Sequence, residues 1–185
     1  CGKISHFLNG DETAAFAMNY TPPFTKDVLA EFAQASEIVV FPLYPHHSIT
    51  TVTSSLNDFN KACRELNLQA KIKIVEPFFA DDRYNEIIAD CIEKSARNLN
   101  TDDITLIFSA HSLPQKIIDA GDVYEEHVKR HVQILTEILE KRGVKFKQTM
   151  LAYQSRLGPV KWLEPSLNQV LAELKDKKAL IYPIS

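Results

Sequence analysis

A histidine at the end of a predicted buried strand is the residue of this chain best placed to carry chemistry. His111 follows the apolar run 104–108 within the segment SAHSLP, residues 109–114. Ligand clefts of open α/β sheets lie beyond the carboxyl ends of their strands. An imidazole accepts protons near neutral pH and binds first-row metals. The position alone leaves two interpretations open: His111 is a reagent, or it is a loop residue hydrogen-bonded to backbone.

Polar and aromatic side chains follow two further predicted strands. The segment YPHHS, residues 44–48, comes after the run 38–41, and the segment YQSR, residues 153–156, comes after the run 146–152. Because the carboxyl ends of parallel strands share one edge, we expect these segments and His111 to converge on a single cleft. Neighbouring residues in extended chain point to opposite sides, so at most one of His46 and His47 faces that cleft.

Several classes of function lack their sequence signatures here. The chain has no G-x-G-x-x-G or G-x-x-x-x-G-K-[ST] pattern and only five glycines, which makes nucleotide binding improbable. It contains no G-x-S-x-G elbow, no H-E-x-x-H pair and no Cys/His quartet for a closed zinc site. Lysine and arginine are scattered, and the net charge is −3. Nucleic acid is therefore an unfavourable partner.

The elements that must position these residues alternate between strand and helix. Apolar, β-branched runs begin at 38, 72, 104, 146 and 179, spaced by 34, 32, 42 and 33 residues. Helical periodicity fills each interval, with stripes such as 59/62/63/66, 84/87/88/91/92, 128/132/135/139 and 167/170/171/174, and a shorter helix is predicted after Thr25 as N-cap. This spacing predicts an α/β protein with parallel sheets and helices on both faces.

Two lobes and a reducing environment are the further expectations. Glu76-Pro77 ends the second strand, so we predict a boundary there, with 1–76 in one lobe and 77–185 in the other. Cys1, Cys63 and Cys91 are odd in number, lack C-x-x-C spacing, and are predicted to be core residues of a cytoplasmic protein. Because the chain begins with Cys1 and stops beside a strand-like run, we expect a piece of a longer protein.

Three sequence segments in register carry a family resemblance. They are FPLYPHHS (41–48) with SSL (54–56), FSAHSLP (108–114) with GDVY (121–124), and YQSRLGPVKWL (153–163). In order and spacing they resemble three successive signatures of ferrochelatase along the whole chain. The resemblance implies the middle part of a protein with two similar Rossmann-like lobes that flank a porphyrin cleft. It also implies an essential glutamate beyond Ser185, without which this piece is expected to be inactive.

The implied activity is insertion of Fe²⁺ into protoporphyrin IX, with no cofactor beyond the substrate metal. By the resemblance, His111 is the catalytic histidine and metal contact, and His47, where relatives carry Tyr or Phe, is a second candidate for the metal. The residues that line the porphyrin cleft by the same resemblance are Tyr20, Tyr44, His46 and Trp162, and those that match a polar segment at its edge are Gln154, Ser155 and Arg156. A guanidinium there is suited to a propionate carboxylate.

Two alternatives stay open at this point. One is a related chelatase that serves another metal or tetrapyrrole, and the other is a non-catalytic tetrapyrrole or haem carrier of the same fold. The ferrochelatase resemblance implies protoporphyrin IX and Fe²⁺ as partners and a cytoplasmic location. Peripheral association with a membrane is a further expectation. Oligomeric state is not predicted.

Overall fold

The computed structural model describes residues 4–174 and 178–185, which form two compact units. The first unit contains residues up to Leu43 together with Ile49–Glu76, and the second contains Tyr44–Ser48 together with Pro77–Ser185. The segment Tyr44–Ser48 thus departs from the predicted division at residue 76. Its buried side chains, His46 and Ser48, pack within the second unit.

The first unit is built on a two-stranded parallel sheet. Its elements are α1 (Thr25–Glu31), β1 (Glu37–Val40), α2 (Ser54–Glu65) and β2 (Lys71–Ile74), with Ile38 opposite Ile72 in the register. Leu29 of α1 and Phe59 and Ala62 of α2 form its core. The predicted N-cap Thr25 is wrong by one residue: Phe24 occupies the cap in extended conformation, and Thr25 is the first helical residue.

The second unit is built on a three-stranded parallel sheet of order β4-β3-β5. Its elements, in chain order, are α3 (Asp82–Ala96), β3 (Ile104–His111), α4 (Gln115–Asp119), α5 (Tyr124–Lys141), β4 (Gln148–Gln154), α6 (Leu167–Glu173) and β5 (Lys178–Pro183). The predicted parallel arrangement is confirmed in both sheets. The central strand β3 is buried along its length except at His111.

Helices cover both faces of this sheet, as predicted. Leu106, Phe108 and Ala110 of β3 belong to one core cluster with side chains of α3 and α5, while Ile107 belongs to another with α6. This alternation follows from the two-residue period of a strand. Since both sides of β3 are apolar, the strand is held rigidly and its last residue has a fixed position.

Two helix boundaries have clear sequence causes. At the end of α5, Arg142 is the C-cap and Gly143 adopts a φ of 78°, a conformation in which glycine avoids the strain of a side chain. At the start of α6, Ser166 and Gln169 form a reciprocal capping box.

The cysteine prediction is partly wrong. Cys63 packs against the core of the first unit, but Cys91 of α3 is exposed, and Cys1 lies outside the described residues. The buried stripe of α3 runs through residues such as Ile88 and Ile92, whereas Cys91, like Ile87, lies off that stripe. Across the described ranges, the structure contains no helix long and apolar enough to cross a membrane.

Candidate functional site

The carboxyl edge of the three-stranded sheet brings together two of the three predicted segments. His111, the exposed last residue of β3, lies opposite Gln154, the last residue of β4, in the parallel register. The amide of Ser112 donates to the carbonyl of Gln154 across 2.8 Å, which extends the pairing one residue further. His111 is therefore placed by the backbone of the most buried strand while its own side chain reaches solvent.

The His111 ring has an assignable protonation pattern. Its Nδ1 lies 3.0 Å from the main-chain oxygen of Ser185, the last residue of the given sequence. A carbonyl only accepts hydrogen bonds, so Nδ1 carries the proton and donates, and Nε2 of the neutral ring keeps its lone pair. A histidine oriented in this way through its second nitrogen is the usual arrangement for a metal ligand or a base.

Tyr124, the first residue of α5, links His111 to the remaining predicted segment, Tyr44–Ser48. Its hydroxyl donates to the carbonyl of His111 across 3.0 Å and lies 2.6 Å from Oγ of Ser185. Its ring makes an edge-to-face contact with His46, with ring centroids 5.9 Å apart. Burial raises the pKa of the Tyr124 phenol, so the hydroxyl stays protonated and acts as a donor.

His46 stands at one end of a fully buried chain of polar side chains. Its Nε2 lies 2.9 Å from Nδ1 of His131 on α5, and Nε2 of His131 lies 2.8 Å from Oδ1 of Asn85 on α3. The ring of His46 also stacks on Phe79, with centroids 5.8 Å apart. Buried polar groups of this kind are stable only when paired. These hydrogen bonds therefore connect the segment after β1 to α5 and α3.

These imidazoles are neutral at physiological pH. Burial lowers the pKa of His131 to about 4. Burial and, to a smaller extent, the neighbouring His131 and His127 lower the pKa of His46 to about 3. Burial also lowers the pKa of His127. His46 and His131 therefore lie in the second unit as neutral, hydrogen-bonding rings.

The rest of the segment Tyr44–Ser48 is fastened by similar contacts. Oγ of Ser48 donates to Asp122 across 2.8 Å, and the amide of His47 donates to Nδ1 of His127 across 3.2 Å. The carbonyl of Pro45 accepts from the amide of Phe79. His46 and Ser48 are thus buried, while His47 is half-buried and Tyr44 is exposed, in line with the expectation that adjacent histidines face different surroundings.

The segment after β4 turns sharply and pairs with the segment after β3. Ser155 is exposed and has a φ of 66°, which redirects the chain. Trp162 is half-buried and forms an antiparallel bridge with Pro114. The guanidinium of Arg156 donates to Glu164 across 3.2 Å and to the carbonyl of Leu163. In this state Arg156 is occupied by a carboxylate of its own chain.

The remaining predicted residue belongs to the first unit. Tyr20 is exposed there, and its hydroxyl lies 3.4 Å from Oγ of Ser54, the first residue of α2. Beside it, the side-chain amide of Asn19 donates to Ser55 across 3.2 Å. These contacts attach the loop that carries Tyr20 to the start of α2.

Sequence reasoning missed the inner members of the site, above all Asn85, Asp122 and His131. His131 gave a signal: it lies three residues after Val128 and four before Leu135, so it shares the apolar face of its helix. A polar residue on such a face needs a buried partner. Within 4–174 and 178–185, the structure places no three His, Cys, Asp or Glu side chains close enough to hold a metal ion.

Comparison with known proteins adds a consistent result. The ferrochelatase family model matches residues 3–185. A ferrochelatase of Campylobacter concisus is 58% identical over the whole chain, which covers 58% of that relative. Ferrochelatases of Campylobacter jejuni and Wolinella succinogenes are 50% identical over 100% of the chain and 48% identical over 92% of it, covering 58% and 54% of those relatives. The chain thus spans little more than half the length of these curated relatives.

Proposed function

This chain belongs to the ferrochelatase family, and from that membership we propose that the whole protein inserts Fe²⁺ into protoporphyrin IX. In this reaction two pyrrole N–H bonds break, two protons leave, and the iron forms bonds to four ring nitrogens. No electron is transferred, because the iron enters and stays as Fe²⁺. The protein must therefore supply a proton acceptor and hold the metal only in passing.

The observation that carries the proposal is the hydrogen bond between Nδ1 of His111 and the Ser185 carbonyl. It leaves the lone pair of Nε2 on an exposed ring at the carboxyl edge of the sheet. That lone pair is suited either to accept a pyrrole proton or to contact the incoming metal. A single imidazole also binds a metal weakly enough to release it to the porphyrin, unlike a closed site of several ligands.

The proposed porphyrin contacts are those predicted by the family resemblance. Tyr20, Tyr44, His46 and Trp162 supply flat or apolar surface, and Gln154, Ser155 and Arg156 supply polar groups at the edge. Gln154 is supported by its register position opposite His111. His47 is proposed as a second metal contact, with its backbone amide held by His127.

Cellular location and metal requirement complete the proposal. Cys63 and Cys91 are both unpaired, which is consistent with a reducing cytoplasm. Fe²⁺ is proposed as the substrate metal, without a further cofactor, and a membrane surface as the place where the haem product is handed on.

The test is metal insertion by the full-length protein under anaerobic conditions, followed by the change in porphyrin absorbance. We expect turnover with Fe²⁺ and protoporphyrin IX. His111→Ala should lower kcat by about 10²- to 10⁴-fold, the range typical for loss of a general base, while porphyrin binding measured by fluorescence quenching persists. His6→Ala, at an exposed histidine of the first unit, is the matched control and should retain full turnover.

Three results would count against the proposal. Unchanged turnover by His111→Ala would remove the role assigned to that ring. Faster insertion of Co²⁺ or Zn²⁺ into a different tetrapyrrole would indicate a related chelatase. Porphyrin binding without insertion of any of these metals would indicate a carrier.

A further inference from the structure

The buried chain of His46, His131 and Asn85 has a fixed direction of hydrogen bonding. The side-chain amide nitrogen of Asn85 lies 2.9 Å from two main-chain carbonyls, those of Phe79 and Asp81. Both are acceptors, so this atom must be the NH₂ group, and the atom that faces His131 must be the amide oxygen. The backbone before α3 thus sets the orientation of the Asn85 amide.

That orientation determines the tautomer of each ring. The Asn85 oxygen accepts, so Nε2 of His131 carries a proton and donates across 2.8 Å. In the neutral ring, Nδ1 of His131 is then an acceptor. The Nε2 atom of His46, 2.9 Å away, must therefore carry the proton. Nδ1 of His46 is left with a lone pair.

This lone pair is the exception among the hydrogen-bonded ring nitrogens of His46 and His131. His46 is only 2% exposed, and its Nδ1 has no hydrogen-bond partner among the residues that the structure describes. An unpaired buried acceptor destabilises the folded state. The other tautomer would place an unpaired N–H at this position and set two lone pairs against each other between His46 and His131, so the hydrogen bonds to Asn85 fix the Nε2–H form.

We propose that Asn85 and His131 are positioning residues that lock His46 in its Nε2–H tautomer and so fix its ring where it supports Tyr124 and, through Tyr124, the segment that carries His111. They act through His46 and do not touch the substrate themselves. The Tyr124 ring, in contact with His46, and the Tyr124 hydroxyl, bonded to the His111 carbonyl, place the locked ring next to the segment that carries His111. This inference rests on the proposed function for its effect on activity, and on the hydrogen bonds alone for the tautomer.

The experiment labels the histidines of the full-length protein with ¹⁵N and reads the tautomer of His46 from its two ring-nitrogen shifts, assigned with His46→Phe. We expect a pyridine-type Nδ1 and a pyrrole-type Nε2. Asn85→Leu, which keeps the branched shape of the side chain and removes the acceptor, should allow both tautomers and move both shifts to intermediate values. Asn98→Leu, at an exposed asparagine just after α3, is the matched control and should leave them unchanged.

Kinetics then separate positioning from simple loss of structure. We expect Asn85→Leu to lower kcat for metal insertion about ten- to a hundredfold, the range typical of a residue that orients another, with KM for porphyrin within about threefold. His131→Phe, which keeps a ring of similar shape, is a second variant in case Asn85→Leu fails to fold, and should lower kcat in the same way.

Each outcome decides the inference. A pyrrole-type Nδ1 in wild-type His46 would overturn it. So would a shift change in Asn85→Leu with unchanged kcat, since the tautomer would then not affect the reaction. If the wild-type protein inserts no metal, the proposed function and the positioning role both fail, while the tautomer assignment still stands or falls on the spectrum.

Discussion

The hydroxyl of Tyr124 donates to the main-chain carbonyl of His111 across 3.0 Å. One hydrogen bond thus joins the first residue of α5 to the last residue of the central strand. The same tyrosine ring contacts His46, so a single buried side chain connects two histidines that are 65 residues apart in the sequence. The position of the proposed base depends on this tyrosine as well as on the strand.

Tyr124→Phe is expected to destabilise the second unit while keeping its packing. The substitution leaves the ring against His46 but removes the donor to the His111 carbonyl, which costs roughly 1–2 kcal/mol. The measurement is the free energy of unfolding of the full-length protein in urea. Tyr44→Phe, at an exposed tyrosine of the same unit, provides the comparison for stability. Equal stability of the wild type and Tyr124→Phe would mean that the hydrogen bond is energetically neutral.

Acid should destabilise the protein through its buried neutral histidines. The pKa of His131 is near 6.5 in the unfolded chain and about 4 in the folded one, because burial opposes the charged form. Below pH 6.5 the unfolded state binds more protons, so stability is complete above pH 6.5 and falls as the pH approaches 4. The loss from this residue is on the order of 3 kcal/mol, and His46, whose folded pKa is about 3, adds to it.

The matching measurement is urea unfolding at a series of pH values between roughly 7 and 4, because the slope of stability against pH reports the protons taken up on unfolding. His131→Phe removes one of the groups that take up protons on unfolding. Its stability should therefore change less steeply over this interval than that of the wild type. Parallel curves for the two proteins would show that His131 does not titrate in this way.

Much of this fold is predictable because its causes are local. The runs that became β3 and β5 are continuous and apolar, and Leu135 and Leu139 of α5 lie on the predicted buried stripe. His111 was located by its place after such a run. The strand itself extends to His111, further than predicted, because residues 109–111 continue the parallel pairing with β4.

The inner part of the site is not predictable in the same way. Asn85 lies on the buried stripe of α3, but periodicity counts apolar residues and therefore favoured Ile87, which is 62% exposed. Asn85 is accommodated there because Nε2 of His131, 46 residues later, donates to its amide oxygen, and two main-chain carbonyls accept from its amide nitrogen. A partner brought in by tertiary structure leaves no local pattern, so both residues become recognisable only once α3 and α5 are packed together.

Arg142 should contribute a modest, salt-dependent stabilisation to that packing. At the end of α5 its guanidinium bonds to Glu86, Asp90 and Glu93 of α3, and the first two of these carboxylates raise its pKa. Because the acidic partners are exposed, we expect Arg142→Met to lower the free energy of unfolding by only about 1 kcal/mol. The loss should be smaller at 1 M salt, where the Debye length is roughly 3 Å. Urea unfolding at low and high salt measures the difference.

Lys129→Met is the matched control for that measurement. Lys129 forms an ion pair with Glu125, one turn earlier on the same helix. Such pairs contribute about 0.3–0.5 kcal/mol, so this variant should lose less stability than Arg142→Met. A loss for Arg142→Met that is equal at both salt concentrations would indicate that packing of its aliphatic stem, rather than charge, is responsible.

Arg156 is expected to distinguish a porphyrin diacid from its ester. In the structure its guanidinium pairs with Glu164, and the proposed function gives it a propionate carboxylate as a second partner. A hydrogen bond to a charged group contributes about 1.5–3 kcal/mol, so Arg156→Met should raise KM for protoporphyrin IX roughly tenfold or more. The uncharged dimethyl ester offers no carboxylate, and its KM should change by less than about twofold.

Two further variants test the charge pairing of Arg156. Lys161→Met, at an exposed cation nearby, should change neither the KM for the diacid nor that for the ester. Glu164→Gln should lower KM for the diacid only, since it removes the internal competitor for the guanidinium. An equal loss with acid and ester in Arg156→Met would mean that Arg156 supports the loop and does not bind the propionate.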